Sequence, residues 1–378
     1  MKVGLVCPYN IFLGGGVQEG VLAIRDGLVK RGHKAYIITP QPRDYDGPKH
    51  PGIIMVGGAA KWRSYGTTTQ VSASVDLDSL SVMLKREKFD ILHFHEPWAP
   101  MLSRQILTRS NAINIGTFHA ALPDRIMGRT IEKVITPYTK SVLKYLDVLT
   151  AVSPAASKYV STLTPRKIFI VPNGIDTSKY KPSSVDKNVH NKKTIFYVGR
   201  LEKRKGLKYL IKAFKLIVDE DPNFELIIAG GGPDRPKLED QIKDEKVKNV
   251  KFLGHISEAT KQRLFVESDL FCSPAIYGES FGIVLLEAMA SGCVTVAGNN
   301  PGYETVLKDL GQISIVNPKD SIEFARRLKL LATNMGLRSV WREWAYKYAN
   351  NYTYEKVIDR YEMMYKAAYE KQHSAKKD

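Results

Sequence analysis

Cysteine is scarce in this chain of 378 residues, which has only three, Cys7, Cys272 and Cys293. They lie far apart and show neither the paired spacing of a disulfide framework nor the close spacing of zinc ligands. Such sparse use of cysteine is typical of a reducing compartment, so we expect a cytoplasmic protein.

Long apolar runs are absent as well. Spanning a bilayer takes roughly 20 apolar residues, and no stretch of this sequence approaches that length. The N-terminal residues Met1–Cys7 form a short apolar run that meets Pro8, with no small-residue cleavage site after it. We therefore interpret them as a first β-strand rather than a signal peptide, and we predict no transmembrane helix.

Acidic residues are too few to balance the basic ones. The chain has 39 Asp and Glu against 56 Lys and Arg, which gives a formal net charge of +17. This excess attracts polyanions, and three kinds fit: anionic lipid headgroups, nucleic acid and phosphorylated substrates. Charge alone does not choose among them.

Two nucleotide-binding fingerprints are missing. The run Gly14–Gly16 would need a further glycine at Glu19 to make the dinucleotide pattern, and Gly230–Gly232 would need one at Arg235. No acidic residue ends the second predicted strand, and no segment has Walker A spacing. These absences disfavour a nicotinamide-dependent enzyme.

Short β-rich runs alternate with helical patterns along most of the chain. This order predicts an α/β protein built of parallel βαβ units. A polar, proline-bearing stretch at residues 172–192 interrupts it, so we predict two Rossmann-like doubly wound domains, 1–170 and 171–351, facing across a ligand cleft. A long amphipathic helix should follow at about 352–372. The predicted strands are residues 3–7, 35–39, 91–95, 113–118, 148–152, 168–171, 194–199, 226–229, 250–253, 270–272 and 294–297.

Two loops at predicted strand ends suit phosphate groups. Gly14–Gly16 joins the first strand to the first helix, where backbone N–H groups can approach a ligand closely; a flexible turn is the alternative. Gly199–Gly206 places Arg200 and Lys205 after a strand, where they suit a diphosphate; a solvated basic loop is the alternative. In both cases the position at a strand end favours phosphate binding.

Glu279 and Glu287 lie on either side of an apolar helix start at residues 281–286. A carboxylate beside buried apolar residues costs free energy unless something pairs with it, and the hydroxyl groups of a sugar or ribose would do so. Glu279 precedes the helix and Glu287 lies in its second turn, so the two do not suit a glycosidase acid and base. We expect one to contact a sugar and the other a ribose.

Three histidines, His93, His95 and His119, lie at the ends of two predicted strands. No pattern of zinc ligands accompanies them, so we predict no metal site, and Glu96-Pro97 is interpreted as the start of a loop. A strand-end histidine is usually a satisfied polar residue, but His119 lies at the expected cleft edge. We expect its ring or its backbone carbonyl to contact a transferred sugar.

Taken together, these elements resemble the retaining GT-B glycosyltransferases of family 4, and among them the phosphatidylinositol mannosyltransferases. The resemblance covers essentially the whole chain, and its motifs occur in the order expected of the family. They are Cys7-Pro8-Tyr9, Gly15-Gly16-Val17-Gln18, His93–Pro97, Thr117-Phe118-His119, Pro172–Asp176, Gly199–Gly206 and Gly278–Glu287.

The resemblance implies transfer of an α-linked hexose, mannose from GDP-mannose, to a membrane-surface lipid such as phosphatidylinositol. It implies retention of configuration by front-side displacement, without a metal ion or other cofactor. The first domain would bind the acceptor, with the C-terminal helix packed back on it, and the second would bind the donor. The implied catalytic residues are His119, Glu279, Arg200 and Lys205. The implied donor-binding residues are Gly15, Gly16, Arg200, Lys205, Glu279, Ser280, Phe281, Gly282, Ile283, Val284 and Glu287, and the implied acceptor-binding residues are Tyr9, Gln18 and His119.

Membrane contact in that family uses a strongly basic amphipathic helix, whereas the corresponding residues 75–88 begin with two acids, Asp76 and Asp78. An ordinary surface helix is the alternative interpretation. The remaining basic and aromatic side chains for an interface are Trp62, Arg63, Tyr65, Lys85, Arg86 and Lys88. We expect a monomer in the cytoplasm, peripheral on the inner face of the cell membrane.

Two other functions stay open. The first is transfer from a UDP-sugar to a soluble or polysaccharide acceptor, since no residue in the sequence selects guanine over uracil. The second is a basic nucleic-acid-binding module, which the charge alone supports and for which no recognition motif is present. We expect no nucleic-acid partner.

Overall fold

The computed structural model describes residues 1–42, 47, 50–64, 67–74, 76–99, 101–121, 128–180 and 192–374, with only the backbone at 61–64, 67–74 and 128–134. The chain forms two compact units. The first comprises Met1–Gly174 and the C-terminal residues from Tyr354, and the second comprises Ile175–Thr353. Tyr65 falls outside the described residues.

The first unit contains an eight-stranded sheet with helices between its strands. Its strands are β1 Lys2–Val6, β2 Lys34–Gln41, β3 Ile53–Ser64, β4 Thr67–Ser74, β5 Ile91–His95, β6 Ile113–Phe118, β7 Val148–Ala151 and β8 Ile168–Ile170. Its helices up to residue 174 are α1 Gly16–Lys30, α2 Leu77–Glu87, α3 Leu102–Leu107, α4 Gly128–Leu143 and α5 Pro154–Ser161.

The strand order in this sheet is β4-β3-β2-β1-β5-β6-β7-β8, and all neighbouring pairs are parallel except β3 with β4. The order reverses at β1, which lies between β2 and β5. A doubly wound sheet opens its ligand crevice at the carboxyl ends of the strands beside such a reversal. Tyr9, the Gly14–Gly16 loop and His119 all follow strands at that edge.

The second unit contains a six-stranded, wholly parallel sheet in the order β11-β10-β9-β12-β13-β14. Its strands are β9 Lys193–Val198, β10 Phe224–Ala229, β11 Val250–Gly254, β12 Leu270–Ser273, β13 Val294–Gly298 and β14 Ile315–Val316. Its helices are α6 Leu207–Glu220, α7 Arg235–Asp244, α8 Glu258–Glu267, α9 Ile283–Ala290, α10 Pro301–Val306, α11 Ser321–Thr333 and α12 Met335–Ala349. Here the order reverses at β9, between β10 and β12, so this unit has a second crevice edge.

The last helix, α13, spans Tyr354–Ser374 and packs against α1 in the first unit. Its side chain Ile358 lies so close to Gly27 of α1 that a Cβ on that glycine would stand 2.2 Å from Ile358 Cδ1. Arg31 adds ion pairs to Asp359 at 2.6 Å and to Glu362 at 3.0 Å. The amphipathic pattern thus predicts the helix, and its buried face joins the core of the first unit.

Two doubly wound parallel sheets confirm the predicted α/β class. The sequence reasoning missed β3, β4 and β14. β3 and β4 are rich in Gly, Ala, Ser and Thr, which gives no alternating apolar pattern, and β14 has only two residues. Among the described residues no helix is both long and apolar enough to cross a membrane.

Candidate active site

The loop after β9 carries the cations predicted to bind a diphosphate. It ends in a short 3₁₀ turn, Lys203–Lys205, and in Gly206, which has a φ of 70°. A Cβ at Gly206 would stand 2.1 Å from the backbone oxygen of Pro274, so a glycine is needed for the loop to lie against the end of β12. The backbone N–H of Ile276 donates to Arg204 O at 2.9 Å and fixes the two segments together.

Glu279 receives two of these cations on one oxygen. Arg204 Nη1 lies 2.6 Å and Lys205 Nζ lies 2.7 Å from Glu279 Oε1. Arg204 also reaches Glu202 Oε1 with Nε at 2.6 Å, so its guanidinium joins two carboxylates. Burial alone would lower the pKa of Arg204, but the charges of Glu279 and Glu202 hold it above its usual value. The result is a charged cluster of fixed geometry at the carboxyl ends of β9 and β12.

Arg204 and Glu202 are members of this cluster that sequence reasoning missed. The run Lys203-Arg204-Lys205 signals positive charge, but the sequence does not tell which of the three faces Glu279. Arg200, the other predicted cation, has an exposed side chain, and its backbone oxygen accepts a hydrogen bond from Tyr197 Oη at 2.8 Å. It belongs to the same loop without joining the Glu279 ion pairs.

Glu279 sits in a loop shaped by two glycines with positive φ, Gly278 at 75° and Gly282 at 112°. A Cβ at Gly302, in the first turn of α10, would stand 2.2 Å from Glu279 O, so α10 presses directly on this loop. α9 begins at Ile283, as the apolar run predicts. The predicted residues between Glu279 and α9 follow in order: Ser280 is half-buried, Phe281 and Gly282 are buried, and Ile283 and Val284 are half-buried.

Glu287 lies one turn into α9 and has partners of its own. Its Oε2 lies 2.9 Å from Lys261 Nζ, which also pairs with Glu258 at 3.0 Å. Tyr180 Oη donates to Glu258 Oε1 at 2.8 Å. Burial alone would lower the pKa of Lys261, but the charge of Glu287 raises it above its usual value. Sequence reasoning assigned the pairing of both acids to ligand hydroxyls, whereas the protein itself supplies a cation to each.

The predicted acceptor residues lie at the carboxyl edge of the first sheet. Gln18 is buried in the first turn of α1, and a Cβ at Gly15 would stand 2.6 Å from its Oε1. α1 begins at Gly16, so the glycine loop does open this helix, as predicted. Tyr9 follows β1, and Thr39 Oγ1 donates to its backbone oxygen at 2.8 Å. Burial raises the pKa of the Tyr9 phenol, with a further rise from the charge of Glu96.

The three histidines are brought together in the first unit. His95 Nδ1 lies 3.0 Å from His119 Nε2, and the rings of His93 and His95 are 4.3 Å apart. His93 makes hydrogen bonds of 2.6 Å to Tyr365 Oη and to Thr117 Oγ1. Burial lowers the pKa of His93 to about 3 and that of His119 to about 4, so both rings are neutral at physiological pH.

Glu96 is a buried acid that follows these histidines, and sequence reasoning gave it no role. Its Oε1 accepts hydrogen bonds from the backbone N–H groups of His119 and Ala120. The indole N–H of Trp98 donates to Oε2. Across the residues whose side chains are placed, no group of three His, Cys, Asp or Glu has the arrangement of a metal site.

Two family profiles match the chain. The profile described as Glycosyltransferase Family 4 matches residues 14–179, and that described as Glycosyl transferases group 1 matches residues 181–348. The phosphatidyl-myo-inositol mannosyltransferase of Mycolicibacterium smegmatis is 30% identical to this chain over 331 residues, covering 86% of this chain and 83% of that protein. The sequence likeness therefore extends over both units.

Solved structures show a likeness of fold. Sucrose-phosphate synthase from Thermosynechococcus elongatus superposes with a TM-score of 0.78 at 16% identity, covering 97% of this chain and 98% of that one. The Anabaena protein HepE, solved in complex with UDP-glucose, gives a TM-score of 0.75 at 17% identity, covering 97% of this chain and 100% of that one. Each of these two alignments includes both Rossmann-like sheets of this chain.

Proposed function

Because this chain belongs to glycosyltransferase family 4 and has the GT-B fold, we propose that it is a retaining mannosyltransferase that moves mannose from GDP-mannose to phosphatidylinositol. The mycobacterial relative at 30% identity, whose name states this activity, supports the choice of sugar and lipid. We assign donor binding to the second unit and acceptor binding to the first.

The observation that carries the proposal is the pair of cations on Glu279. The loop Gly199–Gly206 and Glu279 together hold four cationic side chains and two carboxylates, so the net charge there favours a diphosphate. Glu279 keeps Lys205 in place by an ion pair of 2.7 Å and holds Arg204 on the same oxygen at 2.6 Å. In the proposed complex Lys205 and Arg200 contact the diphosphate, which makes a metal ion unnecessary for stabilising the leaving group.

The donor's other groups are assigned to α9 and its preceding loop. Backbone N–H groups of residues 280–284 at the start of α9 face the phosphates, as helix N-termini do. Glu279 accepts hydrogen bonds from sugar hydroxyls, and Glu287 accepts them from the ribose. Glu279 keeps its ion pairs with Arg204 and Lys205. Glu287 keeps its ion pair with Lys261, and each carboxylate has a second oxygen or lone pair for the ligand.

The acceptor side is assigned to Tyr9, Gln18 and His119, and the backbone of Gly15 and Gly16 is assigned to phosphate binding. His119 contacts the transferred mannose through its backbone carbonyl or its neutral ring. In the reaction an inositol hydroxyl oxygen bonds to the anomeric carbon on the face from which GDP leaves, while the bond to the diphosphate oxygen breaks. Configuration is retained because the new bond forms on the same face from which the old one breaks. The hydroxyl proton passes to that diphosphate oxygen.

Membrane attachment is proposed through α2. Its exposed face includes Val82, Lys85 and Arg86, which can meet apolar and anionic groups of a bilayer surface. The two acids that set it apart from a basic helix lie at its N-terminus, where Asp76 caps the helix by accepting from Asp78 N at 3.1 Å. The protein would therefore be peripheral on the cytoplasmic membrane face.

The test combines purified protein with labelled GDP-mannose and phosphatidylinositol vesicles. We expect a labelled lipid that forms equally in the presence of a chelator and carries an α-linked mannose. GDP should raise the melting temperature more than UDP does, because preferential binding stabilises the folded state. Transfer from UDP-sugars alone would reject the donor assignment, and failure to float with the vesicles would reject membrane attachment.

A further inference from the structure

The carboxylate of Glu96 lies in an unusual environment. It directly follows β5, its side chain is buried with 1% exposure, and its φ is 56°. A positive φ in a residue other than glycine stores strain that surrounding contacts must offset. Such strain concentrates at functional sites.

Both oxygens of this carboxylate are used by neutral donors. Oε1 accepts from the backbone N–H groups of His119 and Ala120, the latter at 2.6 Å, and Oε2 accepts from the indole of Trp98. The backbone N–H of Glu96 in turn donates to Thr117 O at 2.8 Å. Glu96 therefore ties the end of β5 to the end of β6, on both sides of the point where His119 leaves the sheet.

No ion pair balances Glu96 among the side chains that the structure places. Burial raises its pKa to about 8, while the two backbone N–H groups act against that rise, so above pH 8 the side chain is the carboxylate that accepts from all three donors. Burying a carboxylate without a cation costs free energy, and an apolar side chain would hold two strands together at lower cost. What the carboxylate adds is a fixed direction for the His119 and Ala120 peptide groups.

We propose that Glu96 is a positioning residue for sugar transfer, because its carboxylate fixes the backbone at His119 in the orientation that meets the transferred sugar and the acceptor. This inference rests on the proposed function for the role of His119. The hydrogen bonds of Glu96 themselves do not depend on it.

The contacts suggest a variant and a specific rescue. In Glu96→Gln the amide oxygen can still face the two backbone N–H groups, but the NH₂ group then meets the indole N–H of Trp98, and two donors oppose each other. Trp98→Phe removes the indole donor and keeps an aromatic ring against Phe118, whose centroid is 5.7 Å from that of Trp98. The double variant should therefore recover what the single variant loses.

The experiment is run at about pH 9, where Glu96 is ionised, and measures kcat and donor KM for the wild type, Glu96→Gln, Trp98→Phe and the double variant, with exposed Glu370→Gln as control. We expect Glu96→Gln to lower kcat roughly 10-fold or more with donor KM within about twofold, as misplacement of a reacting group does, and the double variant to recover most of it. Unchanged kcat in Glu96→Gln, or loss without rescue in the double variant, would overturn the proposal.

Amide hydrogen exchange supplies a readout that needs no activity. In the wild type the N–H groups of His119 and Ala120 should exchange slowly, and in Glu96→Gln they should exchange roughly 10-fold faster while other strand amides keep their rates. Equal exchange in the two proteins would reject the hydrogen bonds to Glu96. Inactive wild type with slowed amides would instead reject the proposed transferase reaction and leave these hydrogen bonds established.

Discussion

Arg204 donates to the same oxygen of Glu279, at 2.6 Å, that Lys205 reaches at 2.7 Å. The carboxylate thus fixes both cations before any ligand is present. Among the described residues its second oxygen makes no hydrogen bond, and sugar hydroxyls can use it. In the proposed complex Glu279 therefore has two separable effects, one on the placement of the cations and one on the sugar.

Glu279→Gln should separate these effects. We expect transfer to fall by roughly 100-fold, because a neutral amide stabilises developing charge less well and positions the cations less firmly. GDP should still raise the melting temperature of the variant, since Lys205 stays positive. Transfer rates and thermal shifts check this, with Glu267→Gln on the surface of α8 as control. A variant with full activity would remove Glu279 from the site.

Lys205→Ala should act on the donor itself. Loss of a cation that contacts the diphosphate should raise the Kd for GDP by roughly 10-fold or more, because such contacts are charge-assisted hydrogen bonds. Isothermal titration with GDP measures the change. Lys212→Ala on the exposed face of α6 is the matched control and should bind GDP like the wild type. Equal GDP affinity in both variants would contradict the assignment.

Arg204→Met should lower stability more than loss of an exposed arginine does. Glu202 is only 7% exposed, and loss of the guanidinium leaves its carboxylate without this cation. We expect the free energy of unfolding to fall by about 3 kcal/mol, as when one partner of a buried pair is removed. Urea unfolding measures it. Arg326→Met removes an exposed ion pair on α11 and should leave the free energy of unfolding close to that of the wild type; equal losses in the two variants would refute the prediction.

Much of this arrangement could be predicted from the sequence, because it depends on local patterns. The parallel sheets follow from alternating apolar runs, and the glycine loops and the start of α9 follow from glycine next to apolar residues. The side chain of Arg204 could not be placed, since three adjacent cations differ only in the direction that a 3₁₀ turn gives them. At Glu96-Pro97 the sequence indicates only the start of a loop. It does not show the hydrogen bonds of Glu96, because two of its three donors, the N–H groups of His119 and Ala120, come from a distant strand end.

Tyr365→Phe should weaken the attachment of α13 to the histidines. The variant loses the 2.6 Å hydrogen bond between Tyr365 Oη and His93 Nδ1 and leaves a buried ring nitrogen without its partner. We expect a loss of about 1 to 2 kcal/mol in the free energy of unfolding. Tyr346→Phe, at an exposed hydroxyl of α12, is the control. Identical midpoints of urea unfolding in the two variants would contradict this expectation.

The buried histidines should make the protein sensitive to acid. The pKa of His93 falls from 6.5 to about 3 and that of His119 to about 4 on folding, so the unfolded chain binds more protons between these values. Their stabilisation is complete above pH 6.5 and is lost as pH falls toward 4, by up to about 1.4 kcal/mol per pH unit and group. Urea unfolding from pH 7 to pH 4 measures this slope.

Glu96 makes the free energy of unfolding depend on pH in the opposite direction. Its pKa rises from 4.5 to about 8 on folding, so its contribution to the free energy of unfolding declines as pH increases through that range. Below pH 6.5 this decline cancels the rise that about one histidine causes. His93→Gln should therefore make the acid slope shallower, whereas His373→Gln, at an exposed position, should leave it unchanged. A slope that His93→Gln does not alter would show that this ring does not titrate as described.

The return of α13 to the first unit has a consequence for synthesis. Ribosomes release the N-terminal part of a chain first, and domains fold as units when their residues have emerged. The second unit is one continuous segment, Ile175–Thr353, and all of it emerges before α13 does. The hydroxyls that reach His93 and Thr117, those of Tyr365 and Tyr361, arrive last. The nascent chain therefore completes its second unit while the surroundings of its histidines are still unfinished.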